Sequence, residues 1–164
     1  MKTLLKLATA TQAPRATMLV RFMVGAVFFE EGIQKLLFPE LLGAGRFARI
    51  GIPVPEVMGP FVGTVEIVCG ALIFVGLLTR LAAIPLLFNI SVAILSTKIP
   101  ILLGSDFMSF HLAILARYGF WSMASEARTD FSMLLGLLFL LIVGAGRYSP
   151  DACLFRKLNK ESHE

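Results

Sequence analysis

Long apolar stretches separated by short polar ones run along the chain. Four of them are roughly as long as a membrane-crossing helix: 17–38, 57–78, 81–96 and 131–146. Between the second and third stretches lie only Thr79 and Arg80, so we predict a tight turn there and antiparallel neighbouring helices. The pattern predicts an all-α fold, an integral membrane four-helix bundle.

The polar connections predict further elements. Residues 40–56 contain glycines, spaced prolines and two arginines, which predicts a structured loop with one short amphipathic helix. Between residues 100 and 129, apolar and aromatic positions recur at helical spacing, which predicts an amphipathic interfacial helix between spans three and four. Those positions are Phe107, Phe110, Ile114, Tyr118 and Trp121. Pro85 predicts a kink in the third span.

Composition supports a membrane location. The 164 residues are 57% hydrophobic and 16% charged, with a mean hydropathy of +0.81, which is outside the usual range of soluble domains. A net charge of +4 could suit nucleic acid, but the basic residues flank apolar stretches, so we expect the lipid bilayer as partner and no nucleic acid.

The distribution of lysine and arginine around the spans predicts that both termini are cytoplasmic. We divide the chain into a cytoplasmic N-terminal segment at 1–16, a membrane domain at 17–148 and a cytoplasmic tail at 149–164. For the N-terminal segment, an interfacial helix and an unstructured tail both stay open.

Ionisable side chains inside the predicted spans are the candidates for chemistry. The first span contains two pairs at i,i+4 spacing, Glu31 with Lys35 and Glu30 with Gln34. At about 1.5 Å per residue, Glu31 and Glu66 lie roughly 10 and 14 Å from the same side of the membrane, so they could share one layer. A charge inside the bilayer costs roughly 2.5 to 3.5 kcal/mol, so these groups should face the bundle interior and have partners.

Other polar residues extend this picture. We expect Asn89 and Ser91 to close the floor of the layer and His111 to lie above it, whereas Arg21 should extend to the cytoplasmic headgroups. Each has a structural alternative. The whole layer could be an ion-pair network without chemistry, Asn89 could join helices, and His111 could be an ordinary interfacial residue.

Cofactor signatures do not appear in the sequence. Cys69 and Cys153 are far apart, and the two histidines, His111 and His163, have no metal-ligand spacing on a span. No glycine-rich phosphate loop is present. We therefore predict no metal site and no encoded electron carrier.

Three segments, "RFMVGAVFFEEGIQKLLFP", "VGTVEIVCGALIFVGLLTRLAA" and "GAGRYSPD", resemble the DoxX family of small four-span membrane proteins, over about residues 17–151. The resemblance implies a four-helix bundle in the cytoplasmic (inner) membrane and an association with redox or quinone chemistry. Its motif positions in this chain are Lys35, Glu66, Arg80, Gly144, Gly146, Arg147, Ser149 and Asp151.

The closing "GAGRYSPD" also has a physical interpretation. Its glycines should end the last span, Arg147 should complement the helix dipole and lipid phosphates, and Asp151 should cap a helix or pair with an arginine such as Arg80. We favour a structural lock over a catalytic role.

Together these observations predict a quinone-interacting protein or redox-complex subunit. Glu31 and Glu66 would exchange protons and Lys35 would stabilise negative charge. The ligand-binding candidates are Glu30, Gln34, Asn89 and His111. The expected substrate or ligand is a quinone. A redox partner subunit and self-association are both compatible with the sequence. The alternative is a non-enzymatic membrane scaffold or small-solute carrier.

Overall fold

The computed structural model describes residue 9 and residues 14–160, so most of the predicted N-terminal segment and the end of the tail lie outside the described residues. Within this part the fold is helical, without a strand, which confirms the all-α prediction. The helices are α1 Thr17–Leu37, α2 Ala44–Arg49, α3 Pro55–Val75, α4 Thr79–Ala93, α5 Ile99–Leu103, α6 Phe120–Glu126, α7 Arg128–Val143 and α8 Pro150–Lys160. A π-helical segment, Ile94–Lys98, joins α4 to α5.

The four long helices pack in a fixed set of pairs. Helix α1 lies along α3, α4 lies along α7, and α3 contacts α4. Buried apolar side chains from all four fill the centre. They are Val24, Phe28, Ile73, Ala82, Ala83, Leu86, Ile90, Met133, Leu137 and Leu140.

Glycines bring α1 and α3 into close contact. A Cβ on Gly32 would lie 2.5 Å from the carbonyl oxygen of Gly63, and a Cβ on Gly70 would lie 2.7 Å from the amide nitrogen of Phe29. Both distances are too short for any side chain. Small residues therefore permit backbone contact along this pair, as they do between membrane helices.

The connection at 40–56 contains the predicted short helix, α2. The turn after the second long helix lies earlier than predicted. It occupies residues 76–78, and Thr79 already begins α4. Gly76 and Leu78 both adopt positive φ angles, +85° and +51°, which reverse the chain within three residues.

The predicted amphipathic helix over 100–129 is wrong for most of its length. The third long helix continues through the π-helical segment and α5 to Leu103, and Gly104 ends it at a φ of +68°. Residues 104–119 form a loop with an isolated bridge between Phe107 and Phe110. Only α6, at 120–126, is helical before α7.

Among the described residues, two helices are long and apolar enough to cross a membrane, Pro55–Val75 and the continuous Thr79–Leu103. The other two long helices differ from these: α1 contains several charged side chains, and α7 is shorter, with 16 residues. Large apolar side chains nevertheless cover the outside of all four long helices. Leu19, Phe61, Phe88, Phe131 and Ile142 are each more than half exposed. Such a surface suits contact with lipid.

Candidate functional site

Charged side chains meet where α1 faces α3. The Lys35 ammonium lies 2.7 Å from Glu66 Oε2 and 3.2 Å from Glu31 Oε2. Lys35 and Glu66 are buried, whereas Glu31 is half exposed. Asn89 Nδ2 donates to Glu66 Oε1 at 2.6 Å. We call Glu31, Lys35, Glu66 and Asn89 the Lys35 cluster.

Local sequence places each member of this cluster. Glu31 and Lys35 are one helical turn apart on α1, so their side chains lie on the same face. Gly32, between them, makes room for α3, because a Cβ there would lie 2.9 Å from the Cβ of Glu66. Asn89 reaches the same carboxylate from α4, so the cluster joins three helices.

The second predicted pair also forms, but it is exposed. Gln34 Nε2 donates to Glu30 Oε1 on α1. The prediction for Ser91 is wrong: it is exposed, and its hydroxyl donates to Leu87 O of its own helix at 2.7 Å. Ser91 therefore does not close the floor of the cluster.

His111 lies in the 104–119 loop rather than on a helix. Its Nδ1 is 3.1 Å from Asp106 Oδ2, and both side chains are exposed. Its backbone N–H donates to Ile50 O, which joins this loop to the connection after α2. The backbone N–H of Leu112 and the His111 ring together hold the pKa of the Asp106 carboxyl below its usual range.

The closing segment forms a second polar cluster at the opposite end of the long helices. Asp151 is fully buried and accepts hydrogen bonds from the backbone N–H groups of Leu78 and Thr79 at 2.7 and 3.0 Å. It therefore caps the start of α4, which is one of the two roles predicted for it. Ser149 Oγ accepts from Ala152 N at 3.2 Å and caps α8 in the same way.

The other motif residues lie at the end of α7, in the segment after it and at the start of α4. Gly144 and Gly146 have φ angles of +85° and +88°, and Gly144 ends α7 as predicted. Arg80 Nη2 donates to Ile142 O, near the C-terminus of α7, at 2.7 Å. Arg147 is exposed.

Arg21 corrects the sequence prediction. It does not extend to the headgroups but is buried, and its Nη1 donates to Ala145 O at 2.9 Å and to Tyr148 O at 3.0 Å. Gly76 leaves the space that the guanidinium fills, since a Cβ there would collide with Arg21 Nη1. The arginine thus fastens α1 to the segment after α7.

A further buried ion pair was missed. Lys98 Nζ, in the π-helical segment, lies 2.9 Å from Asp130 Oδ2 at the start of α7. Lys98 is buried, and Asp130 is largely so. Both residues lie beside apolar stretches of the sequence, so each could be expected to need a partner. Their separation in the sequence gives no indication that they pair with each other.

The Lys35 cluster differs from the other two polar sites in its composition. It combines two carboxylates with one ammonium, and one of the carboxylates is exposed. Buried carboxylates can exchange protons, and an ammonium can stabilise a developing negative charge on an oxygen. Arg21 and Asp151, by contrast, direct their hydrogen bonds to backbone groups.

Apolar exposed helices around buried charged clusters define a helical membrane protein. The DoxX family model matches residues 16–99, which includes the Lys35 cluster. The chain belongs to the DoxX family.

Two relatives support this assignment. The chain is 48% identical to "Uncharacterized membrane protein Rv3486" of Mycobacterium tuberculosis, over 92% of this chain and 86% of the relative. It is 29% identical to "Putative oxidoreductase CatD" of Bacillus subtilis, over 85% of this chain and 87% of that protein. No solved structure matches the chain significantly.

Proposed function

We propose that this protein is a quinone-interacting membrane protein, or the quinone-interacting subunit of a redox complex, with the Lys35 cluster as its site. The observation that carries the proposal is the buried Lys35 ammonium between two carboxylates. The distant relative named "Putative oxidoreductase CatD" supports redox chemistry. DoxX membership supports the membrane setting in which quinones reside.

The proposal includes an arrangement in the membrane. Helices α1, α3, α7 and the continuous α4–α5 segment would be the four spans of a bundle in the cytoplasmic membrane, with both termini cytoplasmic. The buried pairs of α1 and of α7 support it, because Lys35 and Asp130 each have an oppositely charged partner on a neighbouring helix. Pairing lowers the cost of placing charges in a bilayer.

In this scheme the residues of the cluster have distinct roles. Reduction of a quinone to a quinol takes up two electrons and two protons. The Lys35 ammonium would donate a hydrogen bond to a ring oxygen and stabilise its negative charge, while Glu66 and Glu31 would transfer protons. Asn89 would position Glu66. The electrons would come from a flavin, haem or thiol carrier on a partner subunit.

Quinone binding tests the proposal directly. A short-chain benzoquinone and a short-chain naphthoquinone would be titrated into protein purified in native lipid, and binding measured by calorimetry. We expect Glu66→Gln to weaken binding about tenfold, which corresponds to the loss of about one charged hydrogen bond. Glu56→Gln is the matched control, because Glu56 is exposed in the first turn of the same helix.

Two results would count against the proposal. One is the absence of binding by both quinones. The other is an equal loss of affinity in Glu66→Gln and Glu56→Gln. For the partner, co-purification from native membranes without any flavin-, haem- or thiol-containing protein would contradict the subunit version.

A scaffold remains the alternative proposal, and the Lys35 cluster distinguishes the two. Buried ion pairs can be replaced by apolar side chains of similar volume without loss of stability. If Glu31, Lys35 and Glu66 are exchanged together for such residues, a scaffold keeps its partner assembly, whereas a quinone site loses its ligand. Uptake assays in vesicles would identify a solute carrier.

A further inference from the structure

The Lys35 cluster runs from the surface of the molecule to its interior. The exposed fraction of the side chain falls from 49% at Glu31 to 9% at Lys35 and 4% at Glu66. Contacts of 3.2 Å, 2.7 Å and 2.6 Å connect the four residues in sequence, with Asn89 last. This is a continuous path of polar atoms in which Glu31 is the most exposed member, Lys35 and Glu66 are buried, and Asn89 is partly exposed.

The exposed end lies towards one side of the molecule. Glu31 is six residues before the end of α1, which at 1.5 Å per residue is about 9 Å. The end of α1 leads into α2, and the 104–119 loop contacts the same region through the His111 N–H and Ile50 O. We call this side the loop end. The opposite side, with the start of α1, the 76–78 turn and α8, is the termini end.

An apolar layer separates the cluster from the termini end. Along each long helix, fully buried apolar side chains lie between the Lys35 cluster and the Arg21 and Asp151 cluster. They are Val24 on α1, Ile73 on α3, Ala83 and Leu86 on α4, and Leu137 and Leu140 on α7. Protons move between hydrogen-bonding groups or ordered waters, and a tightly packed apolar layer provides neither.

We infer that the Lys35 cluster exchanges protons with water at the loop end, through Glu31, and is insulated from water at the termini end. The groups that face Glu66 are Lys35 and Glu31 from α1 and Asn89 from α4. For its role in quinone chemistry this inference rests on the proposed function, since it sets the side where protons enter or leave. The sidedness itself can be measured without a quinone.

The test uses the full chain in vesicles enriched in either orientation. The exposed Cys153 of α8 marks the termini end, so its reaction with a membrane-impermeant maleimide reports the orientation. The interior is strongly buffered, and the external pH is stepped between about 4 and 9, a range over which carboxyl groups change protonation. The infrared carbonyl band of protonated Glu66 is followed in time. It is assigned by its loss in Glu66→Gln and its shift in Glu66→Asp.

With the loop end outside, we expect the Glu66 band to respond as fast as the solutions mix. With the termini end outside, it should respond only as slowly as protons leak across the vesicle. Glu31→Gln should slow the fast response about tenfold or more, because glutamine cannot relay a proton. Glu56→Gln should leave it unchanged.

Three results would overturn the inference: an equally fast response in both orientations, a fast response only from the termini end, and no response of Glu66 at any pH. A failure of quinone binding with sidedness intact would instead reject the proposed function alone.

Discussion

Lys35→Met tests whether the buried cluster depends on its central cation. The substitution removes an ammonium that lies 2.7 Å from Glu66 and 3.2 Å from Glu31 while keeping a long unbranched side chain. At an effective dielectric constant of about 20, a pair at the shorter distance attracts with roughly 6 kcal/mol. Part of this is offset because the variant no longer buries the lysine. We therefore expect the free energy of unfolding to fall by about 3 to 5 kcal/mol, as when one partner of a buried pair is removed.

The free energy of unfolding would be measured in mixed detergent micelles with helix content as the signal. Lys157→Met, at an exposed lysine of α8, is the matched control and should change stability by less than about 0.5 kcal/mol. Adding Glu66→Gln to Lys35→Met should restore part of the loss, because no unpaired charge then stays buried. A loss below about 1 kcal/mol for Lys35→Met, or a further loss in the double variant, would refute the reasoning.

Other positions give further predictions. Gly32→Val should separate α1 from α3, because even a Cβ would lie 2.5 Å from Gly63 O. A disulfide cross-link between cysteines engineered on the two helices should then form more slowly, and an unchanged rate would contradict the close contact. Asp151→Ala should cost about 2 to 4 kcal/mol in the same unfolding assay, since two backbone N–H groups lose a charged acceptor; a change under about 1 kcal/mol would contradict the cap. The pKa of Asp106 is lowered, so the stabilising hydrogen bond from the Leu112 N–H to its carboxylate is fully present above the ordinary aspartate pKa of about 3.9. It is lost as pH falls through the lower pKa of the folded protein. The Leu112 amide resonance should follow that titration, and Asp106→Asn should abolish it.

The Arg21 and Asp151 cluster and the Lys35 cluster contribute to the fold in different ways. At the termini end, Arg21 and Asp151 bind backbone groups from distant parts of the chain and so fix the ends of helices. At the loop end, Lys35 and Glu66 bind each other and leave Glu31 partly exposed. The first arrangement suits a lock, as was expected for the closing motif. The second leaves groups whose protonation can change.

Much of the long-helix pattern could be predicted from the sequence. An apolar run of the right length has to form hydrogen bonds within itself when it is buried or in lipid, so helices were the expected outcome. Helix α1 was predicted to within one residue, because Pro39 limits its extension. The prediction of a helix through residues 104–119 was wrong because a single residue ends the helix there as well. Its aromatic residues do recur at helical spacing, but Gly104 adopts a positive φ that ends the helix before them.

The candidate site was predictable in part. Similar depth along two helices indicated that Glu31 and Glu66 could share one layer, and spacing alone paired Glu31 with Lys35. Both carboxylates contact the Lys35 ammonium. The partner of Arg21 lies more than 120 residues away, so no local pattern could reveal it. Lys98 lies in a π-helical turn, which rotates the following residues relative to an ordinary α-helix. A helical-wheel argument therefore could not pair it with Asp130.

By itself, the sequence determined that this is a helical membrane protein with charges that must be paired, because apolar length and the cost of buried charge are local properties. It also determined how far each charge lies along its helix, since the rise per residue of an α-helix is constant. Only the tertiary structure decided which charges meet and which stay exposed. That choice depends on how each helix is rotated and how closely two backbones approach, and the glycines between α1 and α3 permit the close approach at Glu66.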